Sequence, residues 1–545
     1  MYDNLGKIKS TLIGFSKRNR NFNLKLWIEG EDRSKLLQIK PILTYYATVS
    51  DSQISEPYVL EIKQQRQQES GLLITAVINS DQFNFTPSYW DLALEIHGQD
   101  QQIWVQVVDG ISPEMIRKIQ KQVLFLQIKK GAYLLRPHIT ADQRLSFIYM
   151  KRQTFERPRN YIKELLAFYL HKFLGFAFSS QKTVWLICEK ESAQAHDSGF
   201  CFFKWLRGNH PEQSVFFVIK ADSPEIKHLT AYSKNILKFM SFRYFWYIFK
   251  SKLIISTDNK YHIYNLHQPN SVAARAIKRK KEVYLQHGVN GLKQVPEFHK
   301  DQLNFDLIIS PSDYETEMIV KLWGYDRKEV ATTGLARWDS YQDRTSEIAF
   351  KQILLMPTWR RDLKGVSKSD FVKTSFFKHY QALLNSEKLK KMLAENHVRI
   401  AFFLHPYFKS YVELFEIDDS VIDKYDYLEV DLGQEIMKSS LMISDYSSVL
   451  WEMFYLEKPV IFYQFDQAEY LVKEKAYMDY QQDLFGDCAF DVDTVIDFVE
   501  KYINKAFQED EKYGQMRQKY LTYFDQDNSK RIYQAIKSHE KQLGI

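Results

Sequence analysis

The chain has 545 residues, 45% of them hydrophobic and 26% charged, which at roughly 100–200 residues per domain suggests about three packed domains and excludes a low-complexity or disordered protein. Its 74 basic and 68 acidic side chains leave a net charge of +6, too weak and too scattered for a nucleic-acid binder but compatible with an anionic ligand or lipid surface. Three cysteines, Cys188, Cys201 and Cys488, form neither a disulfide framework nor a zinc pattern, the first ten residues lack a signal-peptide core, and no run of 18 apolar residues occurs, so a cytoplasmic protein is expected.

Residues 1–20 are basic with a few apolar side chains and are expected to form an amphipathic tail. From Asn21 the period becomes two: Phe22, Leu24, Leu26 and Ile28 alternate with Asn23, Lys25, Trp27 and Glu29, as in a half-buried strand. Short runs at 58–62, 72–78, 92–96, 103–108 and 123–128, separated by turn-type clusters, predict a β-sandwich-like accessory domain over 21–150. No catalytic cluster falls in it. A helical stretch follows at 158–178, then strand-like runs at 183–188, 214–219, 253–256, 282–285 and 307–310, with helices at 199–207 and from Asp313. This alternation predicts a parallel sheet covered by helices over 155–335. A second alternation, with strands at 352–356, 399–404, 441–444 and 459–463 and helices at 388–395 and 448–455, predicts another such domain over 336–545. The last helix, 529–543, is expected to cross back onto the first. The fold class is therefore α/β, a pair of Rossmann-type domains behind a β-rich accessory domain. Ligands of such sheets bind beyond the carboxyl ends of strands.

Four motifs lie at such ends. In 285–291, His287 and Gly288 follow a strand; a histidine there can take a proton near neutral pH, and glycine admits close approach of a substrate. The plainer reading is a loop histidine bonded to a carbonyl. After the strand at 352–356 come Thr358, Trp359, Arg360 and Arg361, a candidate phosphate clamp because a guanidinium offers a fork of donors, or else a solvated basic loop. His405 precedes Pro406, which pushes it into an extended conformation and aims its ring across a cleft. The run 444–452 carries Asp445, Ser447 and Ser448 into a helix start, where free N–H groups and hydroxyls suit a diphosphate. Asp445 would repel that charge and is expected to brace the loop, while Glu452, one turn on, is placed to accept from ribose hydroxyls. No Asp/Glu cage for a metal is evident, and no cofactor is called for.

In combination and order, these residues resemble the CDP-glycerol glycerophosphotransferase family of teichoic acid biosynthesis. Thr333-Gly334-Leu335-Ala336-Arg337-Trp338-Asp339 is similar to its TG-x-x-R-x-D segment. Ala476-Tyr477-Met478-Asp479-Tyr480 and Asp527-Asn528-Ser529-Lys530-Arg531 are similar to later family segments. The resemblance covers about 180–535. It departs where the family has Trp-His-Gly-Thr-Pro and this chain has Gln286-His287-Gly288-Val289-Asn290, and where Pro-Gly-Pro is replaced by Phe485-Gly486-Asp487. The resemblance implies a GT-B arrangement and attack of an acceptor hydroxyl on the phosphorus of a CDP-polyol, with CMP leaving. It implies His287 as general base, Arg360 and His405 as further catalytic groups, and Thr358, Arg361, Asp445, Ser447, Ser448 and Glu452 on the donor, with Gly288 and Asn290 on the acceptor side.

The implied acceptor is a lipid-linked polymer, which places the enzyme at the inner face of the membrane as a peripheral protein. The aromatic-basic segments 161–178 and 239–250 and the run Lys278-Arg279-Lys280-Lys281 are candidate surface contacts. A homo-oligomer is compatible with the sequence. Competing readings are a GT-B glycosyltransferase using a nucleotide sugar and a non-catalytic envelope-assembly scaffold.

Overall fold

Alternation of buried and exposed side chains begins at Lys9, and so does regular structure. The computed structural model describes residues 8–29, 36–45, 57–82, 87–98, 103–123, 125–140, 142–153, 156–175, 183–264, 271–363, 366–417, 420–425 and 430–545. The stretch expected to be a tail is the strand Lys9–Arg18, antiparallel to Asn21–Glu29 across a tight turn; Lys7 lies outside the described residues. Its apolar members Leu12 and Phe15 are buried in the sheet's core rather than displayed on an amphipathic tail. A five-stranded sheet runs in the order Glu61–Gln68, Gly71–Asn79, Asn21–Glu29, Lys9–Arg18, Gly110–Ile111, and a second, seven-stranded sheet is centred on Leu145–Lys151, Ser88–Gly98 and Leu36–Tyr45. Their inward residues share one apolar cluster, in which Phe22 of the first sheet and Phe147 of the second have ring centroids 5.5 Å apart. Of the run 123–128, expected to be a strand, residue 124 lies outside the described residues, Val123 follows the helix Pro113–Gln122, and only Ile128 enters a strand, Ile128–Lys130. Ser112 caps that helix by accepting from Met115 N at 3.1 Å, and Pro113 starts it.

By internal contacts these strands belong to a unit comprising Met1–Lys172, Met240–Trp246 and Tyr264–Ile277, and the rest forms a larger unit. The first unit therefore runs past the expected boundary at 155, to Lys172, and takes in two later segments. The aromatic segment 239–250 contains the helix Phe242–Lys250, in which Tyr244, Phe245 and Ile248 are fully buried while Phe242 and Arg243 are exposed, so its apolar face is core rather than surface.

The larger unit holds two parallel sheets. Strands such as Trp185–Cys188 and Val215–Ile219 are apolar and buried at every position, as sheets covered on both faces require. Each fully buried Leu, Ile or Phe there contributes about 1.5–3 kcal/mol relative to exposure. The first sheet runs Ile236–Lys238, Val215–Ile219, Trp185–Cys188, Leu253–Ser256, Lys281–Tyr284, Leu307–Ser310, Val330–Thr332. The second runs Ile422–Tyr425, Val398–Phe403, Lys351–Leu355, Leu441–Ser444, Val460–Tyr463, Asp487–Ala489. Chain order reverses between Trp185–Cys188 and Leu253–Ser256 in the first, and between Lys351–Leu355 and Leu441–Ser444 in the second. These two switch points are where open α/β sheets form ligand crevices.

The chain's end returns to the first sheet: Ile532, Ile536 and Leu543 join the core of Trp185, Phe202 and Leu206. The helix Asn528–Ser538 is anchored at its start by Asp339, whose two carboxylate oxygens accept from Asn528 N at 2.8 Å and Ser529 N at 2.7 Å. Arg531 Nε donates to Thr333 O at 2.9 Å. Gly334 sits at φ +80° between these groups, and a Cβ on it would lie 1.9 Å from Asn528 Oδ1. Gly334→Ala therefore meets both a left-handed backbone and a steric block, and is expected to lose about 2–4 kcal/mol in denaturant unfolding; a loss below about 0.5 kcal/mol would contradict the crossing described here.

Candidate active site

The loop after Lys281–Tyr284 carries His287 at its exposed crest. Its Nδ1 faces Thr257 O at 3.3 Å, so an Nδ1–H tautomer donating there leaves Nε2 with a free lone pair. The carbonyl contact is the one the plainer reading expected, and it orients the ring. Beneath the crest, Gln286 is buried at φ 61° and donates from Nε2 to Ile309 O at 2.8 Å. Asn290 donates from its backbone N (3.0 Å) and Nδ2 (2.9 Å) to the two oxygens of Glu315, and from Nδ2 to Gln286 Oε1 at 2.7 Å. Burial pushes the Glu315 carboxyl up to about 8. Asn290, expected on the acceptor, is thus occupied within the loop. Gly288 is placed where its Cβ would lie 2.9 Å from Ser448 Oγ, so the His287 loop and the Ser447–Ser448 loop adjoin.

On the second sheet, Arg360 does not offer its fork to a ligand. It is buried and donates from Nε to Asp466 Oδ2 (2.9 Å), from Nη2 to Asp445 Oδ2 (2.8 Å) and from Nη1 to Thr358 O (2.7 Å). The guanidinium lies 5.0 Å from the Tyr446 ring centroid and 5.1 Å from that of Tyr470. Burial works against its charge, but Asp445 and Asp466 outweigh it and hold the group ionised. Asp445 is fully buried and also accepts from Thr358 N (2.8 Å), Tyr446 N (2.7 Å) and Tyr380 OH (3.1 Å). It braces both switch-point loops and cannot reach a donor molecule. Arg361 points outward, its side chain 70% exposed and 3.7 Å from Glu474. Thr358 and the two serines are half-buried. Ser447 Oγ accepts from Val449 N at 3.3 Å, and the helix after it, Leu450–Tyr455, has six residues, so hydroxyls rather than a helix terminus offer the donors here.

His405 accepts from Tyr407 N at Nδ1 (3.2 Å) and stacks on Trp359 with centroids 5.7 Å apart. Burial first, and then the Lys190 cation, push its pKa down to about 4, so it is a neutral imidazole whose Nε2–H can donate.

The two sheets are joined by one side chain that the motif reading had left without a role. Arg337 donates from Nε to Glu452 Oε1 (3.0 Å), from Nη2 to the same oxygen, and from Nη1 to Asp197 Oδ1 (2.6 Å) and His287 O (2.8 Å). Trp338 Nε1 donates to Glu452 Oε2. Glu452, expected at a ribose, is buried against this pair instead. Burial pushes its carboxyl upward and Arg337 opposes that, while in Asp197 burial is outweighed by Arg337 and the net shift is down. Asp197 caps the helix Ser198–Asn209, a local signal that gave no hint of its distant partner. Glu315 likewise showed in sequence only as part of a helix start at Ser312. A second seam is made by 476–480: Tyr477 OH accepts from Trp323 Nε1 (2.9 Å) and Val295 N (3.3 Å) and meets His299 Nε2 (2.8 Å), and Tyr477 N donates to Gly291 O (3.0 Å).

The profile of the CDP-glycerol:poly(glycerophosphate) glycerophosphotransferase family matches residues 169–538. The chain belongs to this family. Among relatives, it is 28% identical over 391 residues to the minor teichoic acid biosynthesis protein GgaB of Bacillus subtilis (strain 168), covering 69% of this chain and 41% of that one. It is 21% identical over 453 residues to the teichoic acid poly(glycerol phosphate) polymerase of the same strain, covering 78% and 58%. The chain therefore spans less than two thirds of the length of these curated relatives. Among solved structures, that of the wall teichoic acid polymerase TagF superposes with a TM-score of 0.51 at 17% identity, covering 71% of this chain and 95% of that one. This family member thus has an α/β, GT-B-like fold.

Two outcomes follow from the electrostatics. Arg360→Ala leaves buried Asp445 uncompensated and is expected to cost about 3–5 kcal/mol in unfolding free energy, against less than about 0.5 kcal/mol for Arg361→Ala; equal losses would contradict the assignment. Burial takes His405 down from the ordinary imidazole value of 6.5 to about 4. Its contribution to stability is complete above pH 6.5 and is lost as pH falls from there toward 4. NMR titration of the His405 ring should give a midpoint near 4, and a midpoint near 6.5 would refute the burial argument.

Proposed function

We propose that this protein transfers glycerol-phosphate or ribitol-phosphate from a CDP-polyol to a hydroxyl of a lipid-linked teichoic-acid-like or capsular polymer, releasing CMP. The observation that supports this is the close approach of Gly288, after the strand Lys281–Tyr284 of the first sheet, to Ser448 at the second sheet's switch point. Family membership supports the reaction class. The printed names of relatives include a glycerol-phosphate transferase and a ribitol-phosphate polymerase of Staphylococcus aureus, which keeps both polyols open for this chain.

In this reading the diphosphate lies along Thr358, Ser447 and Ser448, whose hydroxyls donate to its oxygens, and the neutral His405 donates from Nε2. His287 Nε2 accepts the proton of the acceptor hydroxyl. The alcohol oxygen forms a bond to the phosphorus bearing the polyol, the bond from that phosphorus to CMP breaks, and CMP departs with the negative charge. Arg360 and Asp445 act one step back, holding the loops in register.

The two-sheet unit at the N-terminus serves as a sandwich-like accessory domain, and the enzyme works at the inner face of the membrane as a peripheral protein. No helix among the described residues is long and apolar enough to cross a bilayer. Support for surface contact comes from the helix Pro158–Leu174, where Ile162, Leu166, Leu170 and Leu174 are exposed at four-residue spacing with Lys163 and Lys172 alongside. The run at 278–281 contributes less than its charge suggests, because Lys280 donates to Ser251 O at 2.5 Å and Lys281 pairs with Asp306 at 2.7 Å.

The decisive measurement is CMP release from CDP-glycerol and from CDP-ribitol with a lipid-linked acceptor. His287→Ala should lower the rate by about 10²–10⁴-fold, the range of a lost general base. An unchanged rate in that variant would remove His287 from the chemistry.

A further inference from the structure

A diphosphate in this crevice needs positive charge beside it, yet the arginines on its walls are already engaged. Arg360 is committed to Asp445 and Asp466, and Arg337 to Glu452 and Asp197. His405 is neutral. Lys190 stands differently. It follows Trp185–Cys188, the strand on one side of the switch point in the first sheet. The register Cys188↔Ser256 and Ser256↔Tyr284 puts Lys190 on the same edge as His287, two strand spacings or about 10 Å apart across the sheet. Its side chain is exposed and makes no ion pair among the described residues. Its charge is felt at His405, on the facing sheet.

The turn that presents it is held under strain. Glu191 and Ser192 adopt φ of 54° and 51°, left-handed values that side chains other than glycine rarely take in succession. His262 fixes them from the other side of the switch point: its Nδ1 accepts from Glu191 N at 3.0 Å, and its carbonyl accepts from Ser192 Oγ at 3.0 Å. Glu189, immediately before, is buried and accepts from His196 N, Asp197 N and Phe200 N at 3.1, 3.1 and 2.7 Å. A lysine between two such anchors has a fixed root and a free ammonium.

We infer that Lys190 is a further substrate-binding residue, whose ammonium donates to an anionic phosphate oxygen in the crevice at the first sheet's switch point. This rests on the phosphotransfer reading above. The phosphate belongs either to the CDP-polyol diphosphate or to a phosphodiester of the acceptor polymer, and the two sources are separable.

The test compares wild type, Lys190→Met and Lys190→Arg in CMP release from CDP-glycerol with a lipid-linked glycerol-phosphate acceptor, and in calorimetric titration with CDP-glycerol. Methionine keeps an apolar stem and removes the charge from an exposed position; Lys190→Gln replaces it if the melting temperature falls. If the ammonium meets the donor, Lys190→Met binds CDP-glycerol at least roughly ten-fold more weakly and Lys190→Arg recovers most of the loss. If it meets the acceptor, donor affinity is unchanged and the acceptor KM rises by a similar factor. Values for both substrates within about two-fold of wild type overturn the inference. Absence of CMP release by the wild type would reject the phosphotransfer reading itself. Lys190 would then be judged by titration with CDP-glycerol and inorganic pyrophosphate, where equal affinities in wild type and Lys190→Met would overturn its role.

Discussion

The guanidinium of Arg337 is the junction on which the site depends. It rises from the short segment between the two parallel sheets and forks to Glu452 of one, to Asp197 of the other, and to the carbonyl of His287. A lysine would offer its three donors from a single nitrogen, whereas the planar fork presents donors from three nitrogens in fixed directions and meets three partners with them. Because the group is buried, each bond is stronger than at a surface, and loss of the guanidinium itself would leave two buried carboxylates without their cation. The same side chain therefore sets how the sheets face each other and where the histidine loop begins.

Charge in this unit is sorted by depth. Arg337 and Arg360 lie deep, matched with carboxylates, and give rigidity to the loops that leave the two switch points. The groups with unshared hydrogen-bonding capacity sit above them: the Nε2 of His287, the Nε2–H of His405, the serine hydroxyls and the Lys190 ammonium. The proposed transfer would draw on this order, since groups meeting developing charge work best when their own positions are already held.

The histidine loop shows the principle at one residue's scale. Gln286 in a left-handed conformation, Asn290 bonded to Glu315, and Gly288 packed against Ser448 leave His287 little freedom except rotation of its own ring. The departures from the family's usual loop fall here. Asn290 brings two donors, and Glu315 and Gln286 receive them, so the changed residues carry a local network.

Much of this was legible in the sequence. Strands such as Val215–Ile219 and Leu441–Ser444 stand out because burial on both faces demands unbroken apolar runs, and the motif loops could be placed at their ends. Short edge strands such as Val330–Thr332 did not stand out, since three residues carry no period. Nor did the strand Lys9–Arg18, whose basic residues disguised its alternation. Residue type announced that Arg360, Glu452 and Asn290 were special, but not which way they face. A guanidinium suits a phosphate and a buried carboxylate equally well, and the choice depends on what folding brings within 3 Å from a hundred residues away, as Asp445 is brought to Arg360 and Glu452 to Arg337. Which residue types gather at the strand ends could be read from the chain; which of their charges are paired in the interior was decided only by packing.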